Sequence, residues 1–261
     1  MPTILITGAT DGLGRRVAND LAGAGWTVLV HGRSREKAEA IAAETGGRAY
    51  VADLASLAEV RRLAGAVLEN EPRLDVLCNN AGIGFGGPDA PRETSADGLE
   101  LRFAVNYLSH FELTLRLLDR LRESAPARIV NVASAGQYPL DFADLQYERD
   151  WDGTKAYRKS KLAQVMFTFA LAERLGDAGV TVTALHPATF MGTKMVVDVG
   201  IEPRSEIAQG ARATERLIAD PELAGVTRRY FNGLREGRVD PQAHDPEARE
   251  RLWELSERLV A

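Results

Sequence analysis

The chain has 261 residues, a length suited to one sizeable domain or at most two small ones, because single cores stop growing near roughly 250–300 residues. Hydrophobic residues make up 45%, enough to fill a core, while a formal charge of -5 and a pI near 5.5 offer no general attraction to nucleic acid or to anionic membranes. A lone cysteine, Cys78, excludes an internal disulfide and a metal site built from thiolates.

Along the chain, short apolar and β-branched runs alternate with longer segments of helical period. Strands are predicted at residues 4–7, 27–30, 48–51, 74–78, 128–132 and 180–185, and helices at 14–24, 34–44, 57–69, 96–122 and 155–175. Cys78 lies within the fourth run and reads as a small core residue. After Ala188 the pattern loosens through Gly192, Gly200, Pro203 and Gly210. It recovers as a helix near 206–219, a strand near 226–232 and a final amphipathic helix near 246–260. Strict alternation of strand and helix predicts an α/β fold with a parallel sheet covered on both faces. No repeat or linker divides residues 1–261, so one domain is expected. No apolar run approaches the roughly 20 residues that span a bilayer, and Met1-Pro2-Thr3 enters the first strand without a basic leader. The expected location is cytoplasmic, with no membrane partner.

Candidate chemistry gathers at the carboxyl ends of the predicted strands. Gly8, Gly12 and Gly14, with Thr10, Asp11 and Leu13 between them, connect the first strand to the first helix. Free N–H groups and the positive helix end attract a phosphate there, and missing side chains let it approach; a plain tight turn explains the same glycines. Arg33, after the second strand, is placed to pair with the 2′-phosphate of a dinucleotide, favouring NADP(H) over NAD(H), or else is a solvated helix-start residue. Asp11 is an opposing negative charge in the same loop. Asp53-Leu54 after the third strand suits an adenine amino group, or Asp53 caps the next helix. Asn80-Ala81-Gly82 after the fourth offers a flat wall for a ribose, with Asn80 tying strand ends together.

Further on, Tyr157 and Lys161 stand four residues apart on one predicted helix, one turn from each other. A phenol is a poor base near neutrality, but a fixed ammonium stabilises its phenolate, so the pair suits proton exchange with a carbonyl or alcohol oxygen. Ser134, after the fifth strand, is placed to hydrogen-bond that oxygen or to turn the chain. Asn106, polar among apolar neighbours, either holds a water that serves Lys161 or satisfies a helix kink. Tyr138, Leu140, Phe85, Phe190, Met191 and Met195 offer apolar surface for a substrate, between segments near 135–156 and 188–215. The four histidines show no ligand spacing, so no metal is expected.

Thr7-Gly8-x-x-x-Gly12-x-Gly14, Asn79-Asn80-Ala81-Gly82, Asn106, Ser134, Tyr157-x-x-x-Lys161 and His186-Pro187 occur in this order over about the first 190 residues. Together they resemble the short-chain dehydrogenase/reductase family. The resemblance implies a Rossmann-type, doubly wound fold, a nicotinamide cofactor and a tetrad that here is Asn106, Ser134, Tyr157 and Lys161. In it Tyr157 exchanges the proton, Ser134 polarises the oxygen, and Lys161 also holds the nicotinamide ribose. It also implies a homodimer or homotetramer, with subunits paired through the long helices 96–122 and 155–175.

Two departures stand out. Ala188 follows Pro187 where the family usually has Pro-Gly, so the carboxamide contact falls to Thr189 or Thr193. The gap from Ser134 to Tyr157 is long, and with "SKLAQ" after Tyr157 it is similar to the retinol-dehydrogenase-like branch, which implies NADP(H) and an apolar or aromatic carbonyl or alcohol substrate. A non-catalytic NADP(H)-binding sensor or interaction protein on the same fold is the competing reading; the presence of Ser134, Tyr157 and Lys161 speaks against it.

Overall fold

In the computed structural model, which describes residues 1–87 and 90–261, strand β1 (Thr3–Ile6) is buried along its whole length. Its residues do not alternate in polarity because a parallel strand is covered on both faces. There follow α1 (Gly12–Gly23), β2 (Thr27–Gly32), α2 (Arg35–Thr45), β3 (Arg48–Val51), α3 (Leu57–Asn70) and β4 (Val76–Asn79). Each of these helices starts on a side-chain cap: Asp11 accepts from Gly12 N, Ser34 from Lys37 N and Ser56 from Glu59 N.

The helix expected over 96–122 starts later and is interrupted. Ser95 closes a local turn, with Leu99 N donating to its Oγ at 3.3 Å, and Gly98 takes φ +78°, a conformation no helix continues. The helical path begins only at α4 (Leu101–Phe103), where the Glu100 carboxylate accepts from Arg102 N and Phe103 N at 3.0 and 2.7 Å. It then passes through a π turn, Ala104–Leu108, into α5 (Ser109–Glu123).

The rest of the chain follows as β5 (Ala127–Val132), α6 (Gly153–Leu175), β6 (Val180–His186), α7 (Lys194–Val197), α8 (Ile207–Ala219), β7 (Arg229–Asn232), β8 (Arg235–Glu236) and α9 (Pro246–Leu259). The short β8 and α7 were not anticipated. All strands join one sheet in the order β3-β2-β1-β4-β5-β6-β7-β8, parallel except for the last pair. The strand order reverses between β1 and β4, and a crevice opens there at the carboxyl edge, where doubly wound sheets hold ligands.

Apolar side chains pack in two layers, one between the sheet and α3, α5 and α6, the other between the sheet and α1, α2 and α8. Cys78 is fully buried, and burial pushes its thiol up to about 12. α9 lies over α6, and Trp253 packs edge-on against Phe111 at 5.1 Å and stacks on Phe167 at 6.0 Å. α9 thus covers part of the surface of α5 and α6 within the chain. No helix among the described residues is long and apolar enough to cross a membrane.

Candidate functional site

A cavity of about 660 Å³ runs along the carboxyl edge of the sheet. Its walls include Gly8, Thr10, Asp11, Gly12, Leu13, Gly14, Arg33, Asp53, Leu54, Asn80, Ala81 and Gly82, and, at the other end, Ser134, Tyr157, Lys161, Pro187, Thr189, Phe190 and Met191.

The glycine end is a cradle that side chains would fill. A Cβ on Gly14 would sit 2.3 Å from Gly8 O and 2.5 Å from Asn80 Nδ2, and one on Gly8 would sit 2.9 Å from the Ala81 Cα. Gly8 and Gly12 take φ of +66° and +53°. The loop is held from below by groups that its sequence pattern does not reveal. His31 Nδ1 accepts from Gly8 N at 3.1 Å, so Nε2 carries the proton and donates to Ala52 O at 3.1 Å. Burial pushes this imidazole down to about 4, which keeps it neutral and able to accept. The only sign of it in the sequence is a histidine inside an otherwise apolar strand. Asn80 ties the strand ends as expected, its Nδ2 donating to Thr7 O at 2.8 Å and Gly8 O at 3.2 Å.

Asp11 is not a free negative charge. Its Oδ1 accepts from Gly12 N at 2.7 Å, and its Oδ2 pairs with Lys194 at 3.0 Å. Lys194 is the main cause that holds the carboxyl below the usual range. Asp53 does not cap α3, because Ser56 does; its Oδ1 accepts from Ala55 N at 2.9 Å instead, in a tight turn at the cavity wall. Arg33 is exposed at this end and forms no ion pair among the described residues. A narrow glycine cradle at a helix start fits the pyrophosphate of a nicotinamide dinucleotide.

At the far end, Ser134 Oγ accepts from Gly136 N at 3.1 Å, which leaves the hydroxyl proton free to donate. Ser134 O takes hydrogen bonds from Tyr230 Oη at 3.0 Å and Gln137 Nε2 at 3.1 Å, so the serine turn is fixed by β7 and by its own loop. The Tyr157 ring is partly exposed to the cavity while its hydroxyl end is desolvated. That burial raises its pKa and so makes the phenol a weaker acid, while a hydrogen bond with Ser134 works the other way. Lys161 Nζ lies 5.9 Å from the Tyr157 ring centre and is itself buried, which pushes its ammonium down to about 7.

Asn106 lies beneath this end rather than in the cavity wall. Its Oδ1 accepts from Ile83 N at 2.7 Å, and its Nδ2 donates to Ile83 O at 3.1 Å and Ser160 Oγ at 2.9 Å. Both amide protons are used, and the side chain clamps the loop after β4 to α6 from within the π turn.

The substrate side departs most from expectation. Tyr138 is 39% exposed and outside the cavity wall, and Leu140 is buried in the main core. The other aromatic residues of the long insertion serve as anchors. Trp151 Nε1 donates to Ala90 O at 2.8 Å, the Arg102 guanidinium lies 5.1 Å over its ring, and Tyr147 meets it edge-on at 5.9 Å. Phe190, Met191, Phe85 and Met195 do reach the cavity, together with Arg158 and Val105, which periodicity alone does not single out. Phe190 holds φ +46°, and Met191 is wedged so close to Gly210 that a Cβ there would meet its sulfur at 2.3 Å. Thr189 Oγ1 lies 3.1 Å from His186 Nε2, whereas Thr193 lies against Gly12.

Residues 2–203 match the family model described as short chain dehydrogenase. Human retinol dehydrogenase 13 is 38% identical over 283 residues, covering 99% of this chain and 84% of that protein. An uncharacterised protein from Mycobacterium paratuberculosis superposes with a TM-score of 0.79 at 32% identity, covering all of this chain and 93% of that one. The 3-ketoacyl-(acyl-carrier-protein) reductase from Brucella melitensis, solved with NADH, superposes at 0.71 and 26% identity, covering 88% and 96%. This chain thus belongs to the short-chain dehydrogenase/reductase family, in its retinol-dehydrogenase-like branch, and is an NAD(P)-dependent oxidoreductase acting on alcohol or carbonyl groups.

Proposed function

We propose that the chain transfers a hydride between NADP(H) and the carbonyl or alcohol carbon of a small apolar or aromatic substrate. One observation carries the reading: a single cavity has the glycine cradle and Arg33 at one end and Ser134, Tyr157 and Lys161 at the other. The cofactor's part is to supply or accept the hydride. The N–H groups at the start of α1 would hold the pyrophosphate, and Arg33 would pair with the 2′-phosphate. Asp53 and Leu54 would meet the adenosine, Ala81 and Gly82 a ribose, Lys161 the nicotinamide ribose, and Pro187 and Thr189 the carboxamide.

In the reducing direction, Ser134 donates a hydrogen bond to the substrate oxygen, and Tyr157 gives that oxygen its proton as the carbon is reduced. The charge left on Tyr157 is stabilised by the Lys161 ammonium. Oxidation of an alcohol runs the same steps backwards. Phe85, Phe190, Met191 and Met195 supply the apolar surface, which supports the substrate class. A homodimer or homotetramer paired through α5 and α6 stays part of the proposal, using the surface of those helices that α9 leaves exposed.

A sensor that binds cofactor without turnover has no use for a hydroxyl and a buried ammonium beside one desolvated phenol. Replacing Tyr157 with Phe tests the choice. Turnover is expected to fall by about 10²–10⁴-fold, with NADPH affinity by calorimetry unchanged. An active Tyr157→Phe enzyme removes the acid–base role.

A further inference from the structure

Lys161 is the charged group that the proposed chemistry depends on most, and it is poorly housed. It is 3% exposed, and no carboxylate pairs with it among the described residues. Its Nζ donates to two neutral oxygens: Val132 O at 2.9 Å, from the end of β5, and Gln164 Oε1 at 2.8 Å, one turn further along α6. A carboxamide is two-sided, and only its oxygen helps an ammonium. Its NH2 turned to the same place would repel.

What sets the orientation is on the neighbouring helix. Gln164 Nε2 lies 3.2 Å from His110 Nδ1, and burial together with the Lys161 charge pushes the His110 imidazole down to about 3. The imidazole is therefore neutral and carries one N–H: with it on Nε2, facing Thr7 Oγ1, Nδ1 has a lone pair for the amide to donate to, whereas on Nδ1 it would donate to Asn106 O at 3.2 Å, and we take the first arrangement. On its other side, His110 Nε2 faces Thr7 Oγ1 at 3.3 Å, and that oxygen accepts from Asn80 N and Ala81 N at 2.9 Å each. A buried row thus leads from the catalytic ammonium through Gln164 and His110 to the root of the glycine loop.

We propose that Gln164, oriented by His110, is a positioning residue that fixes the Lys161 ammonium in place and in its charged form. The inference rests on the oxidoreductase reading only for the use made of that charge. A residue that merely fills space beside Lys161 would leave the ammonium's proton affinity alone. The other groups facing Lys161 supply no negative charge. His110 on α5 and His186 at the end of β6 are both held toward neutrality by burial and by Lys161 itself. Tyr157 on α6 is held protonated by desolvation, and Asn106 in the π turn is neutral.

The test uses the cofactor-free protein with lysine labelled by 13C at Cε, the Lys161 signal being assigned by its loss in Lys161→Met. Wild-type Lys161 is expected to titrate well below the other lysines. Removing one of its two acceptors in Gln164→Leu should lower the midpoint by about one to two pH units, and Gln164→Glu should raise it. His110→Phe, which leaves the amide unoriented, should move the midpoint in the same direction as Gln164→Leu. A folded Gln164→Leu protein with an unmoved midpoint overturns the proposal. If that variant does not fold, Gln164→Glu, which keeps size and polarity, decides, and a midpoint no higher than wild type overturns it. Turnover should lose its alkaline limb in the same order, at a lower pH for Gln164→Leu and a higher one for Gln164→Glu. Midpoints that shift as described in a protein with no dehydrogenase activity would leave the positioning role standing and refute the oxidoreductase reading instead.

Discussion

At the glycine end of the cavity the wall is backbone, held by buried side chains that reach it from adjacent strands: His31 to Gly8, Asn80 to Thr7 and Gly8. At the substrate end the wall is side chain, brought in on the long connections after β4 and β6, with Phe85 from one and Phe190, Met191 and Met195 from the other. The first end tolerates no added atom, because its shape is set by close backbone approach. The second is shaped by which of several apolar side chains happens to be free of anchoring work. Trp151 and Tyr147 are spent holding residues near 90 and 102, while the methionines are left to face the cavity. One end is thus specified by close backbone approach that adjacent strands hold in place, the other by which loop packs on which.

Substitutions at the two ends should differ accordingly. The largest effect is expected from Gly14→Val, whose side chain would collide with Gly8 O and Asn80 Nδ2. Loss of all detectable cofactor-induced rise in melting temperature is the expected result, and a wild-type rise would show that the cradle is slack. Next comes Arg33→Asp. Replacing the cation with a carboxylate should weaken NADPH binding by about 10- to 100-fold, with NADH much less affected, since a charged hydrogen bond is worth roughly 1.5–3 kcal/mol. Parallel fluorescence titrations measure it, and an unchanged NADPH/NADH ratio removes Arg33 from the cofactor site.

The smallest effects are expected where the substrate end is probed. Met195→Ala should raise KM for an apolar ketone by roughly 5- to 30-fold, with kcat moved less, as expected for about 1–2 kcal/mol of lost apolar surface. Tyr138→Ala, outside the cavity, should change neither by more than about twofold. A reversal of that order in steady-state kinetics would mean that the insertion closes over the substrate during turnover.

The sheet was legible because parallel strands buried on both faces are continuous apolar runs separated by segments of helical period, whereas the caps Asp11, Ser34 and Ser56 emerged only in the structure. The start of the helix near residue 96 was misplaced because apolar spacing continues through a turn that Gly98 and Ser95 close. Of the site, the glycines, Ser134, Tyr157 and Lys161 could be placed from spacing, since each follows a strand or lies one helical turn from its partner. His31, Gln164 and His110 could not. Their importance comes from what stands opposite them across the sheet or the helix pair, and neighbouring residues in the chain carry no trace of that.

The amino-acid order by itself determined the α/β alternation, the edge at which the chemistry collects and the pairing of Tyr157 with Lys161, because these depend only on period and strand–loop–helix punctuation. The tertiary structure alone decided that Tyr138 stays outside, that α9 packs on α6, and that a backbone carbonyl and the Gln164 amide oxygen accept from the buried ammonium. These are outcomes of long-range packing, in which a side chain's role is fixed by whichever distant surface reaches it.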